Sequence, residues 1–259
     1  MTIGLRKPGD FCWINMLTPK PKESLRFYTT VLGWHFTEMP GMGFGINVDG
    51  KPVGGLFDVV SPRTPNGMEP VIGLMVKVES ADVTAKRVVE LGGRAEAPFD
   101  IMDAGRMAVC HDPNGAQFDI WQSKKMTGTA VDTAHPGAPT WFETLTTDTG
   151  RAGRFYSDLF GWTREVKDFE GFIYTSFLLD GNPIGGMMQI TANMGAMRPH
   201  WGVYFTVSDA DQAARTATQL GGRICVSPKN IPGVGRFCGL VSPQGVGFSV
   251  VAYAGSNGG

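Results

Sequence analysis

A carboxylate that follows a tryptophan by two positions has the clearest chemical potential in this sequence. Glu143 lies two residues after Trp141 in a stretch that alternates like a β-strand, so both side chains share one face of that strand. A carboxyl group beside apolar neighbours has a raised pKa and can act as a general base near neutral pH. The structural alternatives are an ion pair with an arginine such as Arg236, or a solvated carboxylate.

His200 is the second candidate for chemistry, because an imidazole close to a carboxylate can form a base and its orienter. His200 lies two residues before Gly202, at the entrance of another alternating stretch, and could pair with Glu143. A lone histidine at such a position is more often structural or exposed, and that alternative stays open.

Several aromatic residues could provide a binding surface for a small molecule. Aromatic side chains suit stacking against a flat apolar or cationic ligand. The alternative is that they only fill a space that has closed. The candidate ligand-binding residues of this kind are Trp13, Trp121, Trp141 and Tyr204.

Composition argues against several function classes. The chain has 259 residues with 23 Lys and Arg against 24 Asp and Glu, so its net charge is −1 and nucleic-acid binding is not expected. We find no apolar segment typical of a secretory signal, and no apolar run approaches the roughly 18 residues that cross a membrane. The four cysteines form no Cys-x-x-Cys pair, which favours free thiols and a cytoplasmic location.

The sequence contains an internal repeat. Residues 25–34 (LRFYTTVLGW) recur as 153–162 (GRFYSDLFGW), and residues 49–55 (DGKPVGG) recur as 180–186 (DGNPIGG). Further matches follow at nearly the same offset along the rest of both halves. Self-similarity of this kind predicts two homologous structural units.

Domain boundaries follow from the positions of the repeats. The stretch 123–138 is polar and contains small residues, Pro and Gly, which is typical of a linker. It separates a first domain at 1–122 from a second domain at 139–259, each of a usual domain size. Within each half a strand, a short amphipathic helix and further strands occur twice, which predicts two modules per domain.

The whole pattern resembles the vicinal oxygen chelate superfamily, which contains glyoxalases, bleomycin-resistance proteins and extradiol dioxygenases. The resemblance rests on a Phe-Tyr…Leu-Gly-Trp helix end, a Val-x-x-x-Asp strand-to-helix step and an Asp-Pro-x-Gly turn before the last strand. All three marks occur in order in both halves, although the second half has Phe160 before Gly-Trp and Ser242 before the proline of the turn. It implies an α+β fold of two tandem glyoxalase-like domains. Each domain would contain two paired βαβββ modules that form a curved mixed sheet around a cleft.

The resemblance also implies where a divalent metal would be held, because family members use His, Gln or Glu on the cleft-facing side of the strands. The corresponding positions are Trp13, Gly73 and Asp119 in the first half, and Trp141, Gly202 and Ser249 in the second. A metal site needs two or three imidazoles or carboxylates that converge on one ion. We therefore expect no metal and no cofactor, which argues against metal-dependent glyoxalase or dioxygenase chemistry.

The resemblance further places Asp119 and Asn15 in the first cleft. Together these two residues could orient a polar ligand, with Asp119 as a candidate catalytic group. Alternatively, they could hydrogen-bond each other as part of the structure.

Three functions are consistent with these residues. The leading hypothesis is a glyoxalase-like protein that binds a small, partly aromatic organic molecule without a metal. The second is a lyase, isomerase or hydroxylase- or dioxygenase-type enzyme acting on a small carbonyl or aromatic metabolite, with Glu143 or Asp119 as general base. The third is a non-catalytic interaction protein, for example a homodimer, because a fold does not fix a function. We expect a small-molecule ligand, with neither nucleic acid nor membrane as partner.

Overall fold

Two curled β-sheets with helices on one face make up the structure, a computed structural model that describes residues 6–61, 69–169 and 172–255. The elements of the first half are β1 (Phe11–Thr18), α1 (Pro21–Leu32), β2 (His35–Met39), β3 (Gly43–Val48), β4 (Lys51–Asp58), β5 (Val71–Val78), α2 (Ala81–Glu90), β6 (Arg94–Ala95), β7 (Phe99–Ile101), β8 (Gly105–His111) and β9 (Gln117–Ser123). Those of the second half are β10 (Pro139–Thr146), α3 (Thr149–Phe160), β11 (Thr163–Phe169), β12 (Phe172–Leu179), β13 (Asn182–Gln189), β14 (His200–Thr206), α4 (Ala210–Gln219), β15 (Arg223–Ile231), β16 (Gly235–Val241) and β17 (Gly247–Tyr253).

Each half forms one continuous mixed sheet. The strand order is β2-β3-β4-β1-β5-β9-β8-β6 in the first sheet, where β7 also pairs with β8, and β11-β12-β13-β10-β14-β17-β16-β15 in the second. In the first sheet β1 runs parallel to β4 and antiparallel to β5, and β10 has the same relation to β13 and β14 in the second. The two modules of a half therefore pair with each other, and the expected α+β fold of tandem glyoxalase-like units is confirmed.

Local sequence signals set the ends of the helices. Helices α1 and α3 both stop at a glycine in the left-handed region, Gly33 with φ 69° and Gly161 with φ 72°. A side chain at these positions would be strained, because L-residues other than glycine rarely adopt that conformation. At the start of α3 the Asp148 carboxylate accepts a hydrogen bond from the Arg151 backbone N–H at 2.8 Å, which satisfies a free helix donor.

One face of each sheet packs into a hydrophobic core that both halves share. Phe11 on β1 stacks against Phe142 on β10, with ring centroids 4.2 Å apart. Tyr28 of α1 reaches Phe248 on β17 of the other half, at a centroid distance of 5.8 Å. Aromatic pairs of this geometry add to the free energy gained from burying the rings. The two halves are therefore joined through their cores as well as through the chain.

Two tryptophans fix the halves to each other by reciprocal hydrogen bonds. The indole Nε1 of Trp34 donates to the carbonyl of Gly137 at 2.8 Å, just before the first strand of the second half. The indole of Trp162 donates to the carbonyl of Gly9 at 3.0 Å, just before the first strand of the first half. Both indoles are almost fully buried, so these bonds satisfy donors that would otherwise destabilise the core.

The segment predicted as a linker is packed against the protein. The backbone N–H of Thr129 donates to the carbonyl of Cys12 at 2.9 Å, and Val131 is buried. The Thr206 hydroxyl donates to the Thr133 carbonyl at 2.6 Å. These contacts tie the connection to both sheets, so it holds a defined path between them.

The cysteines are free, as the sequence predicts, and three of the four are buried, Cys225 being the exposed one. Among the helices that the structure describes, none is long and apolar enough to span a membrane.

Candidate functional site

The face of each sheet that points away from the shared core carries the candidate residues. On β1 the half-buried Trp13 and Asn15 alternate with Ile14 and Met16, which are fully buried in the core. This alternation follows from the period of two in a β-strand. We call the concave side of the first sheet the first cleft and that of the second sheet the second cleft.

Glu143 is the centre of the second cleft. It lies on β10 with only 6% of its surface exposed, between Gly186 on β13 and Gly202 on β14. The Tyr174 hydroxyl donates to Glu143 Oε2 at 2.8 Å, and the Tyr204 hydroxyl donates to Oε1 at 2.8 Å. Each carboxylate oxygen therefore accepts a hydrogen bond from a tyrosine, which compensates for the loss of water.

Burial and the tyrosines act on the pKa of Glu143 in opposite directions. Burial raises the pKa of the carboxyl group, and the hydrogen bonds from Tyr174 and Tyr204 lower it in part, with a smaller contribution from the charge of Lys229. Burial also raises the pKa of both phenols, and the neighbouring Glu143 carboxylate raises it further. The tyrosines therefore stay protonated and remain donors to Glu143.

A further bond orients Tyr174. The indole Nε1 of Trp141 donates to the Tyr174 hydroxyl oxygen at 2.9 Å. Since Tyr174 gives its own proton to Glu143, the chain of donors runs in one direction from Trp141 to the carboxylate. Trp141, Tyr174 and Tyr204 are all half-buried, so part of each ring faces the cleft.

Glycine makes room for this arrangement. A Cβ atom at Gly186 would overlap the Tyr174 hydroxyl group, so a side chain at this position would displace the tyrosine. At Gly202 a Cβ would meet nothing closer than the Glu143 carbonyl oxygen at 3.8 Å, which leaves open space beside the carboxylate.

The structure gives Glu143 partners that the sequence did not predict. Arg236, the predicted alternative partner, lies on β16 and donates instead to Asp211 through Nε and Nη2, because Asp211 belongs to α4, which packs against β16. That alternative is wrong. His200 is exposed at the start of β14, two residues before Gly202. Its Nδ1 contacts the Arg198 carbonyl oxygen at 2.8 Å. No bond between His200 and Glu143 occurs in the described part of the chain.

Tyr174 is the functional candidate that sequence reasoning missed. Its signal was an internal difference between the halves: the repeat aligns Tyr174 with Gly43, and Glu143 with Asn15. Tyr204, which was predicted, aligns with Met75. The sequence signal for these residues was the difference between the two repeats, in which one repeat has a polar or aromatic residue where the other has a small or apolar one.

Asp119 is the corresponding polar group of the first cleft. It lies on β9 beside Met75 on β5 and Val109 on β8, and 5% of its surface is exposed. Burial raises the pKa of Asp119 to about 7; the Gln117 side chain lowers it in part, and the charge of Glu96 raises it. The Oδ1 atom is buried and has no hydrogen-bond partner among the described residues.

Asn15 does not bond to Asp119, so the predicted alternative of a mutual hydrogen bond is wrong. Asn15 pairs with Gly73 across β1 and β5, and Asp119 reaches the other side of Gly73. In the part of the chain that the structure describes, no hydrogen bond is present on the Asn15 side chain. The glycine thus separates two polar side chains that both face the first cleft.

One end of the first cleft is filled by apolar side chains. Trp121 is 1% exposed, and its Nε1 donates to the Met126 carbonyl at 2.9 Å. Met75 and Met107 pack with Trp121, and Trp13 and Met126 lie against this cluster. Trp121 therefore contributes buried wall, whereas the half-buried Trp13 keeps an exposed part toward the cleft.

Comparison with known proteins places this architecture in a family. The family model described as "Glyoxalase-like domain" matches residues 13–121. The protein named "Putative glyoxylase CFP32" from Mycobacterium tuberculosis is 33% identical over 255 residues, covering 96% of this chain and 96% of its own length. The chain belongs to the glyoxalase-like family of the vicinal oxygen chelate superfamily. This glyoxalase-like protein is also 33% identical to "Anthracycline biosynthesis protein DauV" from a Streptomyces species, over 94% of this chain and 93% of that protein.

Solved structures share the fold at low sequence identity. The Mn(II)-bound glyoxalase from Novosphingobium aromaticivorans superposes with a TM-score of 0.64 at 14% identity, covering 96% of this chain and 83% of that one. The trihydroxybiphenyl dioxygenase from Sphingomonas wittichii gives a TM-score of 0.67 at 10% identity, covering 95% and 90%. At these identities the likeness concerns the fold alone.

The donor set of this glyoxalase-like protein does not fit the metal that the superfamily implies. Each cleft presents one deeply buried carboxyl group, Asp119 in the first and Glu143 in the second. Within residues 6–61, 69–169 and 172–255, no three His, Cys, Asp or Glu side chains come together in a way that could hold an ion. Both oxygens of Glu143 are already committed to tyrosine hydroxyls. A catalytic metal site generally needs three protein ligands, so neither cleft supplies the expected coordination.

Proposed function

We propose that this glyoxalase-like protein binds a planar, hydroxylated aromatic small molecule in the second cleft without a divalent metal. The observation that carries the proposal is the fixed group of Glu143, Tyr174 and Tyr204, with both tyrosine hydroxyls 2.8 Å from the carboxylate. A few polar groups placed within an aromatic surface are typical of a small-molecule site.

The aromatic lining supports a flat ligand. Trp141 lies next to Tyr174, and the ring of Phe237 lies 6.1 Å from the ring of Tyr204. Phe172 stacks on Tyr174 at 6.3 Å. Rings arranged in this way offer large, rigid apolar surfaces on which an aromatic molecule can stack.

The direction of the hydrogen bonds supports a ligand that donates. Both phenol protons point to Glu143, so the Tyr174 and Tyr204 oxygens present lone pairs to a ligand rather than protons. The Tyr174 oxygen accepts one bond from Trp141 and has one further lone pair. A ligand hydroxyl group could donate a hydrogen bond to this lone pair. A ligand carbonyl group could not, because both oxygens would be acceptors.

The name of one relative supports this ligand class. The Streptomyces relative is named for the biosynthesis of an anthracycline, which is a polycyclic and hydroxylated aromatic compound. The 33% identity over nearly the full length of both chains supports a related ligand class for this protein.

Titration of the protein with a monohydroxylated anthraquinone tests the proposal, with quenching of tryptophan fluorescence as the readout. We expect the hydroxylated compound to bind at least tenfold more tightly than unsubstituted anthraquinone, since one hydrogen bond of about 1.4 kcal/mol corresponds to that ratio. Gly202→Val should abolish binding by filling the space beside Glu143. Gly73→Val, the same change at the equivalent position of the first cleft, is the matched control. Equal binding by both variants would refute the site.

Catalysis is the second candidate, and the raised pKa of the buried Glu143 is the observation that favours it. A general base at this position would remove a proton from carbon next to a carbonyl group. Incubation with hydroxyacetone in deuterium oxide measures such a step as deuterium uptake by NMR. Uptake above the buffer rate that Glu143→Gln eliminates would support catalysis, and uptake at the buffer rate would leave binding as the function.

A further inference from the structure

We infer that the first cleft contains a second, separate site, above Gly73, in which Asp119 and Asn15 bind the ammonium group of a small amine. This site uses other residues than the proposed aromatic site of the second cleft, and it takes a ligand of different chemistry.

The main evidence for a ligand in the first cleft is the buried carboxyl group of Asp119. Its carboxyl is nine-tenths or more buried, and its Oδ1 atom lacks a hydrogen-bond partner in the described part of the protein. A buried polar atom without a partner destabilises a protein, so such atoms are rare unless something binds them. A cation bound against this carboxylate would compensate its buried charge, because buried charges are generally paired.

The space for that ligand lies over Gly73. A Cβ atom at this residue would meet the Asn15 carbonyl oxygen at 3.6 Å and Asp119 Oδ2 at 3.8 Å, which are ordinary contact distances. The position is therefore open to an added group, which would lie beside Oδ2 of the carboxylate whose other oxygen, Oδ1, has no partner among the described residues. Asn15, on the other side of Gly73, offers a side-chain amide oxygen with no bond in the described structure.

The charges favour a cation over a neutral donor. The charged neighbour whose field raises the pKa of Asp119 is Glu96, another carboxylate, and Gln117 contributes a neutral hydrogen bond. In a poorly solvated site, the attraction between an ammonium group and a carboxylate is much stronger than in water. The half-buried indole of Trp13, paired with Met75 next to Asp119, adds a π face to which a cation is attracted.

A single positive charge suits the site better than a metal ion. One carboxylate neutralises one unit of charge and one amide oxygen adds a neutral acceptor, whereas a divalent ion needs more ligands than the described residues supply. The second cleft lacks this arrangement, because the residue equivalent to Asp119 there is Ser249, and Glu143 already accepts two tyrosine hydroxyls. The two clefts therefore select different ligands.

Isothermal titration with phenethylamine tests the inference, with phenethyl alcohol as the neutral analogue of the same shape. At about pH 8 both Asp119 and the amine carry their charges. We expect the amine to bind and the alcohol to bind at least tenfold more weakly. Asp119→Asn should weaken amine binding at least tenfold, while Asp103→Asn, the same change at an exposed carboxylate, should have no effect.

Two glycine variants locate the amine. Gly73→Val should prevent binding, because its methyl groups occupy the space beside Asp119, and circular dichroism verifies that the variant folds. Gly202→Val alters the second cleft and should retain amine binding. The inference is overturned if the amine fails to bind the wild-type protein at millimolar concentration, or if Asp119→Asn and Gly73→Val bind it as well as the wild type. It is also overturned if Gly202→Val alone abolishes binding, which would place the amine in the second cleft.

Discussion

The phenol of Tyr156 donates a hydrogen bond to Asp112 Oδ2 at 3.1 Å, from a helix of the second half to a turn of the first. The other oxygen of Asp112 accepts from the backbone N–H groups of Asn114 and Ala116, and so holds the turn before β9 in place. The Tyr156 oxygen also accepts from the indole of Trp201 at 2.8 Å. One fully buried tyrosine thus links a turn of the first half to the core of the second.

Replacing Tyr156 by phenylalanine should destabilise the protein by about 1–3 kcal/mol, the usual effect of removing a buried hydrogen bond to a charged group. Both Asp112 and the Trp201 indole would lose a partner in the core. Urea unfolding of wild type and variant measures the difference. The matched control is Tyr28→Phe, the equivalent residue of the first half, which lies beside the neutral Ser242. An equal loss in both variants would contradict the special role of Asp112.

The two halves should not fold separately. Each contributes aromatic residues to the core of the other, such as Tyr28 against Phe248, and each supplies the acceptor for a tryptophan of the other. A half produced alone would expose this apolar surface to water. We expect residues 1–138 alone to lack near-ultraviolet circular dichroism and a cooperative thermal transition. Recovery of both signals on addition of residues 139–259 would agree with this reading, and a cooperative transition of residues 1–138 alone would refute it.

Stability should fall as the pH rises through the range in which Asp119 ionises. The folded-state pKa is about 7, well above the roughly 3.9 of an unfolded aspartate, so the folded protein binds a proton that the unfolded chain has lost. Below about pH 4 this penalty is absent. It grows up to about pH 7 and amounts to at most roughly 4 kcal/mol. Urea unfolding across this range should show a decline that Asp119→Asn removes, so the variant should be the more stable protein at about pH 8.

An exposed carboxylate provides the control for that measurement. Asp103→Asn changes the same functional group at the surface, where the aspartate pairs with Lys125. We expect this variant to keep the wild-type decline with pH. If Asp119→Asn shows the wild-type decline as well, Asp119 is not the group responsible.

Gly186→Ala should disrupt the second cleft more than Gly202→Ala. A methyl group at Gly186 would overlap the Tyr174 hydroxyl, whereas one at Gly202 meets nothing closer than 3.8 Å. Displacing Tyr174 removes a donor from Glu143 and an acceptor from Trp141. Tryptophan fluorescence during titration with the hydroxylated anthraquinone measures this difference. We expect at least tenfold weaker binding for Gly186→Ala and less than about threefold weaker binding for Gly202→Ala. The reverse order would contradict the assigned role of Tyr174.

Removal of divalent metal should not change stability or ligand binding. A bound ion at a concentration 100-fold above its dissociation constant would stabilise the folded state by about 2.7 kcal/mol, which thermal unfolding readily detects. We expect the unfolding temperature and the anthraquinone affinity to be the same before and after treatment with a chelator. A clear fall in either, restored by manganese or zinc, would show that the protein holds a divalent metal and would contradict this prediction.

The sequence was sufficient to predict the architecture, because the signals that define it are local. Gly33 and Gly161 end equivalent helices, and the Asp49 and Asp180 turns begin equivalent strands, so the repeat could be read without knowing any contact. The period of two along β1 and β10 also placed Asn15 and Glu143 on the face opposite the core. These features depend on residues a few positions apart.

The partners of the candidate groups could not be predicted in the same way. Tyr174 reaches Glu143 from β12, with β13 between their strands, and only the register of all three strands and the missing side chain at Gly186 allow that contact. Arg236 was a plausible partner of Glu143 by charge, yet the packing of β16 against α4 places it beside Asp211. Charge and residue type in the sequence suggest possible partners, but the distance between the side chains in the folded protein determines which pairs form.

The sequence by itself determined that the chain consists of two repeated glyoxalase-like halves. It also determined that Asp119 occupies an expected ligand position of the first half, whereas Glu143 of the second half lies two residues after such a position. The tertiary structure decided that Glu143 is bound by two tyrosines, that Asp119 has an oxygen without a partner in the described residues, and that the halves share a core. Local pattern depends on the geometry of neighbouring residues along the chain. The state of a buried carboxylate depends instead on which distant strands, donors and empty spaces surround it once the sheet has formed.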